Sequence, residues 1–141
     1  MKTVSATAWI DAPPMKVWAV LTDLSRYPEW NPLFREAAGE VGVGRRIVLK
    51  SYPEGGRPMT VKPTITAARA GAELCWVSRL PGILTEEHRF TLSAGNGGTL
   101  VVQSETFRGA LVLVSGKARA RAEASFRAMN RALKARAESP P

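Results

Sequence analysis

At 141 residues, 45% hydrophobic and 23% charged, the chain has the make-up of one globular domain able to bury roughly two-thirds of its unfolded surface, which excludes a disordered polypeptide. Its longest aliphatic run, residues 110–114, falls far short of the roughly 20 residues that cross a bilayer, and the N-terminus lacks a continuous apolar signal segment, so neither a membrane span nor export is predicted. The net charge of +8 invites an anionic partner, yet seven of the 20 basic residues (Lys117, Arg119, Arg121, Arg127, Arg131, Lys134, Arg136) fall on a helical pattern whose only aromatic is Phe126; a solvated helix face explains them, and no specific nucleic-acid partner is expected.

Residues 3–10 alternate, with Val4, Ala6, Ala8 and Ile10 on one face and Thr3, Ser5, Thr7 and Trp9 on the other, the mark of a half-buried strand. Pro13 then suits a first helical position, and Val17, Val20, Leu21 and Leu24 recur at helical spacing, predicting a short amphipathic helix. It should stop near Ser25, because Tyr27-Pro28-Glu29-Trp30-Asn31-Pro32 holds two prolines that disfavour helix before them. From Phe34 to Gly109, turn residues at 42–44, 53–56, 71, 81–82 and 95–98 divide the chain into six strands, whose short connections require antiparallel neighbours. Alternation points Ile47, Leu49, Met59, Val61, Pro63, Ile65, Leu74, Trp76, Ser78, His88, Phe90 and Leu92 inward. In the last strand the sets Leu100/Val102/Ser104/Thr106 and Val101/Gln103/Glu105/Phe107 are equally apolar, so periodicity leaves its face open. An alanine-rich segment from Ser115 to Glu138 predicts one long helix with Ala118, Ala122, Phe126, Met129 and Leu133 on one side, followed by a frayed Ser139-Pro140-Pro141 tail. Alanines in its first half leave space beneath it unless the sheet fills the gap. The fold class is thus α+β, with seven antiparallel strands and a long C-terminal helix.

That order of elements resembles the helix-grip fold, and particular residues resemble the SRPBCC superfamily (START domains, pollen allergens and polyketide cyclases), especially its small bacterial ligand-binding branch. They are Ile10-Asp11-Ala12-Pro13, Val17-Trp18, Leu21-Thr22-Asp23 and the 27–32 turn, then Leu80-Pro81-Gly82 ahead of His88-Arg89-Phe90, and Gly98-Thr99 opening a strand through Gln103, Glu105, Phe107 and Gly109. The resemblance spans essentially the whole chain. It implies two short helices after the first strand, a curved sheet gripped by the last helix, and a cavity between them for a lipid, polyketide or other apolar compound. It also favours the Val101/Gln103/Glu105/Phe107 set as the inward one.

His88 is the only histidine and so the only side chain that titrates near neutrality without perturbation; on an inward face it serves as acid, base or hydrogen-bond anchor, or else as a purely structural donor. Glu105, if inward, pairs with His88 from the neighbouring strand. Trp76, Phe90, Phe107, Phe126 and Met129, with Gln103 among them, are the candidate lining, the alternative being simple core. Trp30 and Phe34, beside the proline-rich turn, gate an entrance or anchor the short-helix region, whereas Asp23 and Glu29 read as capping or surface residues. One His and one Cys, Cys75, cannot build a structural zinc site, no carboxylate cluster resembles a calcium or magnesium loop, and the glycines at 95–98 lack the lysine and the helix of a nucleotide loop. No Gly-x-Ser-x-Gly is present. Neither metal nor cofactor is expected, and the lone cysteine suits a cytoplasmic protein without disulfides. Three functions remain open: a non-enzymatic binder of an apolar small molecule, a cyclase or dehydratase using His88 and Glu105, and an interaction module acting through the basic helix. Edge strands and Trp9 leave room for a homodimer.

Overall fold

A computed structural model of the protein describes residues 2–109 and 116–140; the aliphatic run at 110–114, the expected helix start at Ser115 and the terminal Pro141 lie outside them. Strand β1 (Lys2–Ile10) leads into helix α1 (Pro14–Thr22) and a 3-10 helix (Leu24–Glu29). Pro13 caps α1 in an extended conformation, so Pro14, rather than Pro13, takes the first helical position. Leu21, at the end of α1, accepts a hydrogen bond at 2.6 Å from the fully buried Tyr27 hydroxyl.

Seven strands follow: β2 (Phe34–Ala38), β3 (Val48–Ser51), β4 (Met59–Val61), β5 (Thr64–Arg69), β6 (Glu73–Leu80), β7 (Leu84–Gly95) and β8 (Gly98–Arg108). They form an antiparallel five-stranded sheet in the order β1-β8-β7-β6-β5 and a three-stranded sheet in the order β2-β3-β4. An isolated bridge between Arg46 and Thr64 links the two. The described residues therefore form eight strands where turn chemistry predicts seven. The extra one arises at Pro63, which has no N–H to extend a ladder, so the run expected as a single strand passes from the small sheet to the large one there. Met59, expected inward, consequently lies at the rim and is 56% exposed.

The β7–β8 hairpin is set by Asn96 and Gly97, both at positive φ, which gives the two-residue turn whose twist matches the strands. Gly98 is required for a second reason: a Cβ there would lie 2.6 Å from the Ile10 carbonyl oxygen, so only glycine lets β8 close on β1.

Helix α2 (Gly116–Glu138) lies across the inner face. Residues 116–121 are all exposed, whereas Phe126, Met129, Leu133 and Ala137 form a buried stripe packed with Val4, Ile10, Phe90, Leu92 and Val101. Each large side chain so buried contributes about 1.5–3 kcal/mol. Ala118, expected on this stripe, is instead on the exposed first turns.

Candidate functional site

Strand register fixes which side chains share the inner face. Trp76, His88 and Glu105 stand side by side across β6, β7 and β8; one step toward the rim the row is Ser78, Glu86 and Phe107, and one step toward the core it is Leu74, Phe90 and Gln103. The inward set of β8 is therefore Val101, Gln103, Glu105 and Phe107, which settles what alternation alone left open.

His88 is 2% exposed and enclosed by rings: Trp76 stacks on it with centroids 5.2 Å apart, while Phe34, Phe90 and Phe126 approach at 5.0 to 5.6 Å. Its Nδ1 lies 3.0 Å from Glu105 Oε2 and its Nε2 2.9 Å from Gln103 Oε1. The direction of these bonds follows from the far end of the chain. Asn130 donates Nδ2–H to the Ala6 carbonyl, leaving its oxygen to accept from Gln103 Nε2 at 2.8 Å; Gln103 Nε2 also faces the Phe126 carbonyl. Gln103 must then present its oxygen to His88, so Nε2 carries a hydrogen. With Nε2 protonated, the bond between Nδ1 and Glu105 needs one further proton, held by the imidazole or by the carboxyl. The pair thus shares one proton between a buried imidazole and a half-buried carboxyl, Glu105, at the edge of a cavity.

Glu86 is the third ionisable group. Burial, and secondarily the negative charge of Glu105, push its carboxyl up to about 7, with His88 opposing. Sequence reasoning missed it, although Glu86 is in phase with His88, Phe90 and Leu92; extending the same alternation two residues back would have found it.

Beneath the first buried turn of α2 lies a cavity of about 170 Å³, walled by Leu33, Phe34, Trp76 and Phe126 with Ala122 and Ser125 as its roof, and by Glu86, His88 and Glu105 at its polar corner. Asn31 helps to place Phe34 by accepting the Leu33 and Phe34 backbone N–H groups. Met59, Val61, Ser78 and Glu86 stand between this cavity and an outer cleft of about 570 Å³ in the gap where the two sheets part at Pro63. Of the residues expected from sequence, Phe34, Trp76, His88, Glu105 and Phe126 line the inner cavity. Gln103 is linked to it through His88, and Phe90 and Met129 are fully buried core. Phe107 is half-buried beside Glu86 at the rim, and Trp30 packs edge-on against Tyr27 and takes no part in the cavity wall.

On α2, Arg127 pairs with Glu123, Lys134 with Glu138 and Arg136 with Glu29, and Arg119 donates to the Thr3 carbonyl. Among the described residues no His, Cys, Asp and Glu cluster could hold a metal ion, and no helix is long and apolar enough to cross a membrane.

Residues 1–138 match the family described as polyketide cyclase/dehydrase and lipid transport. Solved structures share the fold. A START superfamily protein from Mycobacterium smegmatis is 18% identical with a TM-score of 0.77, covering 96% of this chain and 97% of that one. Ara h 8.0201 is 17% identical with a TM-score of 0.75, covering 99% of each chain. The di-domain ARO/CYC protein BexL, from the BE-7585A biosynthetic pathway, is 18% identical with a TM-score of 0.70, over 99% of this chain and 51% of that one. No curated protein sequence matches the chain.

Proposed function

Because the chain belongs to the polyketide cyclase/dehydrase and lipid transport family, we propose that it binds a small, largely apolar molecule, with a ring or chain end seated in the cavity under α2. The observation that carries this reading is a cavity that is aromatic on most sides yet polar at one corner, the usual composition of a small-molecule site. Its inner part has about the volume of a cavity that admits one benzene ring, so the remainder of a larger ligand extends past Met59 and Val61 toward the outer cleft. Met59 is exposed and unbranched, a side chain suited to swinging aside.

The neutral fluorophore N-phenyl-1-naphthylamine tests the reading. It should brighten on binding the wild-type protein, and Ala122→Phe, which fills the roof of the cavity, should abolish the signal while the protein stays folded. Unchanged binding by Ala122→Phe would remove the cavity as the site.

A cyclase or dehydratase reading is favoured by one feature: a one-proton His88/Glu105 pair beside Glu86, whose carboxyl changes charge near neutrality. In that reading Glu86 accepts a proton from the ligand and Glu105, backed by His88, donates one. Turnover should then vanish in Glu86→Gln and Glu105→Gln while binding persists. Carboxylates matching Arg127, Lys134 and Arg136 reduce the free positive charge of α2, which supports a roofing role for that helix over an interaction surface.

A further inference from the structure

The outer cleft has a chemistry of its own. Three cationic side chains, Arg46, Lys62 and Arg79, line it, together with Met59 and Leu80, which are 56% and 59% exposed. Arg46 donates Nε–H to the Lys62 carbonyl, which ties the two cations to one wall, and among the described residues none of the three is ion-paired. On α2, Arg127, Lys134 and Arg136 are each matched by a carboxylate, and basic residues there without an ion pair among the described residues, Lys117, Arg121 and Arg131, lie on its exposed face rather than in a cleft. Three cations without ion pairs lining one concave surface keep a positive potential that isolated surface charges lose to solvent. Among the described residues the one acid lining the cleft, Glu86, sits on the wall shared with the inner cavity.

We propose that this cleft is a subsite for an anionic head, a carboxylate, phosphate or sulfonate, on the same molecule whose apolar end enters the cavity under α2. The protein's ligand is then an amphipathic anion rather than a neutral hydrocarbon or an amine. Guanidinium groups fit planar or tetrahedral oxyanions through paired N–H donors, and Lys62 adds a point charge. Shared walls make the two spaces one path: apolar at the inner end, with Glu86 and Ser78 at the neck, and cationic outside. The inference rests on the ligand-binding role proposed above and adds to it the charge of the ligand.

The experiment compares three ten-carbon probes, decanoate, 1-decanol and decylammonium, by displacement of N-phenyl-1-naphthylamine. Decanoate should displace the dye from wild type at about tenfold lower concentration than 1-decanol, and decylammonium should be the weakest. Lys62→Gln/Arg79→Gln, which leaves Arg46 holding the Lys62 carbonyl, should lose most of that preference, and adding Arg46→Gln should lose the rest, with 1-decanol unaffected in both. All three positions are exposed, so the variants should fold; unchanged thermal melting checks this. Equal displacement by decanoate and 1-decanol in wild type, or a preference that survives the triple substitution, overturns the subsite while leaving the cavity reading intact. Failure of both dye and 1-decanol to bind overturns the cavity reading, and the subsite with it. Co-sedimentation with phosphatidylglycerol vesicles that depends on these cations, without a decanoate preference, would assign them to a membrane surface instead.

Discussion

Two ends of one sheet face behave differently under the same helix. Toward the core, Phe90, Leu92 and Val101 belong to a packed cluster with Met129, Leu133 and Ala137, all but Leu92 fully buried and Leu92 only 6% exposed. Toward the rim, the same strands carry Glu86, His88 and Glu105, and α2 offers only Ala122, Ser125 and Phe126 above a cavity. The boundary is the hydrogen-bonded line from Glu105 through His88, Gln103 and Asn130 to the Ala6 carbonyl. The difference teaches a division of labour: one end supplies the apolar burial that holds α2 down, and the other gives up burial to leave space, with the polar line closing the core against it.

The sharpest way to break that comparison is to cut each end by a similar amount. Leu133→Ala, in the packed end, should cost about 2–5 kcal/mol and lower the melting temperature by roughly 10 °C, with dye binding to the folded protein retained. Val61→Ala, in the cavity wall, should cost less than about 1 kcal/mol, because the wall is only half-buried, yet should change dye affinity. Equal losses of stability would mean that the open end is packed as firmly as the closed one.

The polar line gives the next largest effect. Gln103→Leu preserves volume but strips His88 Nε2–H of its acceptor and Asn130 Oδ1 of its donor, both inside the core. The expected loss is about 2–3 kcal/mol by denaturant titration. Nitrogen-detected NMR of wild type should show a slowly exchanging hydrogen on His88 Nε2, absent or fast in the variant. A fast-exchanging Nε2 hydrogen in wild type would reverse the assigned bond directions and with them the one-proton pair.

How much of this was legible in the sequence depends on what each feature rests on. Periodicity placed β1, α1, the inward residues of β6 and β7 and the stripe of α2 from Phe126 onward, though not at Ala118, because burial of one face leaves a repeating trace. It failed at Pro63, where a break in hydrogen bonding and a change of sheet fall inside a run that still alternates, and so it miscounted the strands and turned Met59 inward. The face of β8 was ambiguous because Leu100 and Val102 are as apolar as Val101 and Phe107; register against β7, a pairing property no single strand encodes, decides it. The His88–Glu105 contact was foreseeable once that face was assumed. Asn130, which fixes the proton on His88, was not, since its role comes from α2 crossing the sheet at one particular height. Nor were the three cations of the outer cleft, scattered at positions 46, 62 and 79 and brought together only by the parting of the two sheets.

A further effect, smaller than that of the polar line, bears on the rim and is visible through pH. Glu105 and His88 are the charged neighbours that act on Glu86, while Arg46, Lys62 and Arg79 line the same outer cleft. Burial raises its carboxyl from the ordinary 4.5 to about 7, so between those values the folded protein holds a proton that the unfolded chain releases. The stability of wild type should therefore fall as pH rises from about 4.5 to 7 and then level off, as far as this group is concerned. Glu86→Gln removes the titration: it should match wild type near pH 4 and exceed it at pH 8 by on the order of 1–2 kcal/mol, discounted for partial exposure, or a few degrees of melting temperature. Stabilisation of the same size at both pH values would show that the carboxylate is not strained by burial. The same variant also sharpens the contrast between core and rim. Ionised Glu86 stands at the neck between the apolar cavity and the cationic cleft, so decanoate affinity should decline through pH 7 in wild type and stay level in Glu86→Gln, whereas 1-decanol should respond in neither.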